Sequence, residues 1–406
     1  MSYLSQIDIA QAIKIIESKA PSLASETVDL LEANTRTLAT DLKSKVDHPT
    51  NNDSAIDGFA CKAIDTLNAS KEKPVKLKIV GEVPAGKPYH SSINSGEAVS
   101  IYTGAIVPTD CDAVIRVEDT KTVDNYVYLY APARSKDIRK KAQDFSIGQC
   151  LLKKGSILNS ASIALAVAMG YKSVKVSLKP RIGILATGDE VIEPGQNLQQ
   201  GQVYNSNSYA LKIMLEKAGA KAIILNKAND NIETLATTIQ NAGQIDLLLT
   251  TGGVSMGKYD FVRDLLFERG SVEFWKIAER PGGPVLFGSW NNIPILGIPG
   301  NPVSAMVVFL LHAKAFIIKA LGSNEVLPFN NRKTAIAKTS LPSAGFKTNF
   351  VRVKLANNDS EVYSTGSQSS GVLHSMYLAD ALAIVPANTK IIAGDSIEYI
   401  PLKPYL

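Results

Sequence analysis

From residue 181 to residue 321, short apolar strands alternate with helices, and this run constrains the chain more than any other feature. Strand texture at residues 181–186, 222–225, 246–251 and 293–298 is separated by helical texture at 208–218, 232–242 and 261–268. A long helix at 302–321 closes the run before Gly322. Each such strand must hide two apolar faces and each helix one. The expected solution is a doubly wound, mostly parallel sheet covered on both sides. Sheets of this kind collect ligands beyond the carboxyl ends of their strands.

The flanks have a different texture. Residues 7–18 and 24–42 carry apolar residues at helical spacing, and 160–169 reads as a helix capped by Ser160 or Ser162 and stopped by Gly170. Segments 75–80, 98–102, 113–117 and 126–130 are short, β-rich and separated by turn residues. After Asn324, residues 334–338, 349–355 and 383–385 are the expected strands. The chain therefore reads as multidomain α/β plus β. A helical or extended N-terminal part covers 1–45 together with 142–178, an inserted β-rich module covers 46–141, the α/β domain covers 179–325 and a small C-terminal β domain covers 326–406.

Composition narrows the function. With 45% hydrophobic and 20% charged residues among 406, the chain can bury a core and is not disordered. A net charge of +5 suits anionic ligands, but no nucleic-acid motif accompanies it. Cys61, Cys111 and Cys150 are far apart, and His48, His90, His312 and His374 are equally scattered, so neither a disulfide framework nor a zinc site is expected. The most apolar runs, 163–169 and 306–311, fall short of the roughly 20 residues of a membrane span, and the N-terminus lacks a signal-peptide pattern. The expectation is a cytoplasmic protein without membrane or nucleic-acid partners.

Three strand ends carry loaded loops: Thr187-Gly188-Asp189-Glu190, Gly252-Gly253-Val254-Ser255 and Pro299-Gly300-Asn301-Pro302. In the third, Asn301 is a good N-cap and Pro302 suits the first helical turn, so the helix start can receive a phosphate. Gly252 and Gly253 let backbone N–H groups approach a ligand. Asp189 and Glu190 can hold a cation that bridges phosphates, or orient a ribose or water. Each loop alone also reads as a capped turn; three at one sheet edge favour a site.

These residues resemble the molybdopterin molybdenumtransferase family. Asp53-Ser54-Ala55-Ile56-Asp57-Gly58-Phe59-Ala60 is similar to its S-A-M-D-G-Y-A signature, and Ile101-Tyr102-Thr103-Gly104-Ala105 with Val107-Pro108 to its M-T-G-A-x-V-P. The three loops match its cofactor loops, and Gly366-Ser367-Gln368-Ser369-Ser370-Gly371 resembles its G-x-Q-x-S-G element. The resemblance implies adenylated molybdopterin and molybdate as substrates, Mg2+, AMP as product and a homodimer in transient contact with other molybdenum-cofactor proteins. It implies catalytic roles for Asp57, Thr103, Glu190, Asp230, Asp260 and Lys276, with Glu190 and Asp260 at the metal. It places Thr187, Gly188, Asp189, Gly252, Gly253, Ser255, Arg280, Pro299, Gly300, Asn301, Pro302, Arg352 and Ser370 at the cofactor. Asp57 also reads as a turn residue before Gly58, and Asp230 as a helix cap.

The family's K-P-G-K-P run appears here as Arg280-Pro281-Gly282-Gly283-Pro284, so one charge is kept and one is lost at Gly283. An expected G-R pair reads Gly345-Phe346-Lys347. Lys347 or Arg280 are the candidates to compensate. Two alternatives stay open at this point: a paralogue that binds molybdopterin without inserting metal, and an enzyme that adenylates molybdopterin.

Overall fold

The computed structural model describes residues 3–226, 231–254 and 260–406. Its central sheet runs in the order Lys221–Ile224, Arg181–Ala186, Leu247–Thr251, Ile293–Ile298, Leu286–Trp290, Ser271–Trp275. The first four strands are parallel, as the alternation requires. The last two are antiparallel and form the edge. Sequence reading did not mark those two as strands. The N-terminal stretch extends that edge through parallel bridges from Leu4 to Phe274 and Ile7 to Ile277.

Period-two alternation sorts the strand residues onto two cores. Leu247, Leu249 and Leu296 pack with Leu211 and the long helix on one face, whereas Leu248 and Ile295 pack with Leu235, Ile239 and Leu265 on the other. The long helix runs Pro302–Val308, continues through a π turn at Phe309–Ala313, and finishes at Lys314–Leu321 with Gly322 in the left-handed conformation. By length and composition Pro302–Leu321 could cross a membrane, but 89% of its most apolar 18-residue stretch is buried inside the protein, which is how a core helix behaves.

The β-rich region forms a six-stranded sheet in the order Ala113–Arg116, Gly58–Cys61, Glu97–Ile101, Val75–Val83, Tyr126–Leu129, Thr120–Val123. Near the C-terminus, Thr348–Ala356, Glu361–Ser364, Lys333–Ala337, Ser396–Pro401 and Ala381–Val385 close into a small barrel, because the first and last of these also pair. The short strand Glu279–Arg280 joins that barrel in parallel, opposite Thr348 and Asn349, and so ties the α/β layer to it.

Residues 24–42 are not a helix. Ser25–Asp29 is a strand paired with Ser173–Ser177, and Leu30–Ala33 is a single 3-10 turn. Leu30, Leu38 and Leu42 do reach one shared core with Phe145 and Leu158, Leu30 from the 3-10 turn and the other two from extended chain, and Leu31 is left on the surface. A partner strand about 150 residues away overrides the local spacing. The helix Ser160–Ala168 is capped by Asn159, with Ser162 completing the capping box, rather than by either serine alone.

Candidate functional site

The three loops meet. Gly252 donates its N–H to the Ile298 carbonyl at 2.8 Å, and a Cβ on Gly300 would lie 3.9 Å from the Gly252 Cα. Gly252 itself has φ +104°, and a Cβ there would come within 2.8 Å of Thr187 Oγ1. A side chain at this position is therefore excluded both by conformation and by contact. Thr187, Glu190, Gly252, Gly300, Asn301 and Pro302 line one hollow of about 600 Å³, together with Tyr204, Asn205 and Asn207. Glu190 folds its carboxylate back over Gly188, whose Cβ would meet it at 2.6 Å. Asp189 is exposed beside it.

The helix start is more elaborate than the cap the sequence suggested. Asn301 stands at the N-cap position but makes no side-chain capping bond. The Val303 N–H instead donates to the Ser370 carbonyl at 3.2 Å, so the C-terminal loop docks on the helix start. Asn207 donates from Nδ2 to the Gly300 carbonyl at 2.7 Å and holds the loop from below.

Asn301 also lines a second hollow, of about 680 Å³, whose wall includes Arg280, Gly283, Pro299, Ser304, Lys347, Gln368 and Ser370. This hollow is basic. A Cβ on Gly283 would lie 3.1 Å from Lys347 Nζ, so the C-terminal lysine occupies the space that a side chain at 283 would take. The charge missing at Gly283 is thus replaced from another strand connection. Arg352, expected at the ligand, is instead buried behind this wall at 1% exposure. It donates from its guanidinium to the carbonyls of Ser367 and Ser369 and to Ser375 Oγ, while its backbone exchanges bonds with the Gln368 side chain. Burial, and then the neighbouring Arg280, push its pKa down to about 10. Arg352 shapes the loop that carries Ser370.

The remaining expected residues sit elsewhere. Asp57 Oδ1 accepts from the Thr103 N–H at 2.7 Å and from Thr103 Oγ1 at 2.8 Å, and these bonds hold its carboxyl below the usual range. Both residues are exposed on the β-rich sheet and line neither hollow. Lys276 has φ +81°, its Nζ lies 4.5 Å over the Trp275 ring, and it lines neither hollow. Asp260 is 8% exposed, 3.9 Å from Arg263. Asp230 and Ser255 lie outside the described residues. A larger hollow of about 1020 Å³ opens in the β-rich region beside Arg134, Lys136 and Lys140; of the matched motifs, only Ile106, Val107 and Pro108 reach it.

Sequence reading missed Tyr204, Asn205 and Asn207. The Asn-Ser-Asn run before a helix was the available signal, since Asn205 caps that helix through Ser208. Nothing local could have placed Lys347 opposite Gly283, because 64 residues separate them in the chain and the pairing of Glu279–Arg280 with Thr348–Asn349 brings them together.

Three family profiles match in order: the MoeA N-terminal region (domain I and II) over residues 7–170, a probable molybdopterin binding domain over 183–319, and the MoeA C-terminal region (domain IV) over 334–402. A molybdopterin molybdenumtransferase of Nostoc is 34% identical over 94% of this chain and 84% of its own, and one of Haemophilus influenzae is 32% identical over 97% and 98%. The crystal structure of a molybdopterin biosynthesis MoeA protein from Pyrococcus horikoshii superposes with a TM-score of 0.82 at 31% identity, covering 98% of this chain and 99% of that one. With its motif loops joined at one sheet edge and its relatives matching almost end to end, the chain belongs to the molybdopterin molybdenumtransferase family, transferases of molybdenum-cofactor biosynthesis.

Proposed function

We propose that this protein inserts molybdate into the dithiolene of adenylated molybdopterin, with cleavage of the phosphoanhydride and release of AMP. The observation that carries this reading is Asn301, which lines both hollows and so stands where a phosphate-bearing ligand and a small oxyanion would meet. The glycine-built hollow takes the pterin phosphate: the backbone of Gly252 and Gly300 can approach it closely, and the helix start favours negative charge. The basic hollow takes molybdate, with Arg280 and Lys347 supplying charge and Ser370 lying on its wall.

Among the described residues, no three His, Cys, Asp or Glu side chains converge on a metal position. A protein-only cage is therefore absent there. Magnesium, however, is commonly held by one or two carboxylates together with substrate phosphates, and Glu190 is the exposed carboxylate on the glycine-built hollow. Asp260 is the second candidate from the adjoining loop. When bound, the ion would neutralise charge on the phosphoanhydride. Glu190 would orient the attacking water, Asn301 would donate to the phosphate, and Lys347 would hold molybdate near the dithiolene.

We further infer a cytoplasmic homodimer. Asp57 and Thr103 are pre-ordered against each other yet line neither hollow in one chain, which fits a role at a partner's cleft. A binding-only protein is the second reading, because the charge at Gly283 is supplied by Lys347 from a different backbone position than the family's lysine. The test is AMP release from adenylated molybdopterin and magnesium, with and without molybdate. Molybdate-dependent release that is lost in Glu190→Ala supports the reading. Tight pterin binding with no AMP at any molybdate concentration would favour the binding-only protein.

A further inference from the structure

Under the basic hollow a buried side-chain pair joins two of its walls. One wall is the turn at residues 280–284, carried by the short strand Glu279–Arg280, and the other is the start of the long helix, with Asn301 and Ser304. Neighbouring residues on a strand face opposite ways. Arg280 is exposed at the hollow, whereas the Glu279 side chain is fully buried. Its Oε2 lies 2.9 Å from Nε2 of His312, in the π turn of the same long helix. π turns inside helices recur at functional sites. Among the described residues this is the only hydrogen bond between residues 279–284 and the long helix.

The pair is a poor way to add stability. Glu279 Oε1 and His312 Nδ1 are buried with no hydrogen-bond partner among the described residues, which costs free energy. Two apolar side chains of like volume would often be as stable or more so. What the hydrogen bond adds is direction, because it fixes a distance and an angle that apolar packing leaves looser. The turn it holds sits close on the helix. A Cβ on Gly282 would come within 2.6 Å of Val308 Cγ2 and 3.2 Å of Glu279 Oε1. On the other side, Glu279 and Arg280 pair with Thr348 and Asn349, next to Lys347, whose Nζ would lie 3.1 Å from a Cβ on Gly283. The height of this strand over the helix therefore sets where Arg280 stands and how Gly283 meets Lys347.

We propose that Glu279 and His312 are a positioning pair that sets Arg280, and the turn behind it, at a fixed place over the start of the long helix. This rests on the reading of the basic hollow as the oxyanion site. The pair acts through the backbone of the strand and turn and needs no contact with the ligand. Its effect is confined to the basic hollow, because the glycine-built hollow takes no residue from this turn. A role through charge alone has the opposite sign: removing a carboxylate near an oxyanion site would strengthen binding.

The experiment replaces the pair by apolar side chains, Glu279→Met together with His312→Leu, in the full-length protein. Molybdate and adenylated molybdopterin are titrated separately, and stability is read by denaturant unfolding. The double variant is expected to be about as stable as the wild type, to bind molybdate about tenfold or more weakly, and to bind the pterin unchanged. Unchanged or tighter molybdate binding overturns the positioning role, and so does an equal loss of both ligands, which marks a purely structural pair. Absence of molybdate binding to the wild type overturns the proposal together with the reading of the hollow. Should the double variant fold poorly, Glu279→Gln decides. It sheds the charge a carboxylate can carry but keeps an amide within reach of His312, so wild-type or tighter molybdate binding is expected. A tenfold loss there, with pterin binding intact, would mean that Glu279 acts by charge and not by position.

Discussion

The two hollows that share Asn301 are built by different means. The glycine-built hollow is mostly backbone: three strand ends, a helix start, and an asparagine propping one loop. Its specifications are local, since the residues that need a positive φ or a free N–H lie within a few positions of one another. The basic hollow takes its side-chain charge from segments far apart in the chain, Arg280 from the short strand that joins the barrel and Lys347 from the barrel, with Arg352 and His312 buried behind it. Local motifs therefore report how the first hollow is built, whereas for the second they name Arg280, Lys347 and Ser370 without showing that these residues meet. The difference also predicts tolerance. A charge lost at Gly283 can be restored from Lys347, whereas a side chain added at Gly252 has nowhere to go.

Arg352→Ala should do the most damage. It strips a buried guanidinium from two carbonyls and a hydroxyl, and should cost about 3 to 5 kcal/mol of stability, measurable by denaturant unfolding. If instead stability holds and only molybdate binding falls, Arg352 is a ligand and not a support. Lys347→Ala comes next. Losing one charge-assisted contact corresponds to about 1.5–3 kcal/mol, or roughly ten- to a hundredfold in molybdate affinity, with pterin binding unchanged. Gly252→Ala should weaken adenylated pterin binding through strain of about 1–3 kcal/mol, read by equilibrium titration, and leave molybdate affinity alone. Asp57→Asn should have the smallest effect, a modest fall in turnover without loss of stability. Because the Asp57 pKa is lowered in the folded protein, its carboxylate bond to Thr103 is present above the ordinary aspartate range and is lost as the pH falls through the lowered value, which an acid-side activity profile would show.

The α/β layer was legible because strand and helix periods alternate without interruption from Arg181 to Arg269, and its loops at Thr187, Gly252 and Gly300 meet as their positions after strands suggested. The antiparallel edge strands were not, because Ser271–Trp275 and Leu286–Trp290 carry no helix between them to announce a strand. Residues 24–42 misled for the opposite reason: their leucine spacing imitates a helix, while a distant strand decides the conformation. At the site, Thr187, Gly252 and Asn301 could be read from their neighbours. Arg352 could be identified as important but not as buried, and Glu279 had no signal until His312 was seen beneath it. The lone His312 between the apolar residues Phe309–Leu311 and Ala313 was the available hint, since a buried imidazole needs a partner.

The most direct test of the two-hollow account measures adenylated pterin and molybdate binding separately on Lys347→Ala and Gly252→Ala. The account predicts a crossed pattern, with Lys347→Ala losing molybdate only and Gly252→Ala losing the pterin only. If either substitution weakens both ligands equally, the hollows are not separate subsites and the account is contradicted.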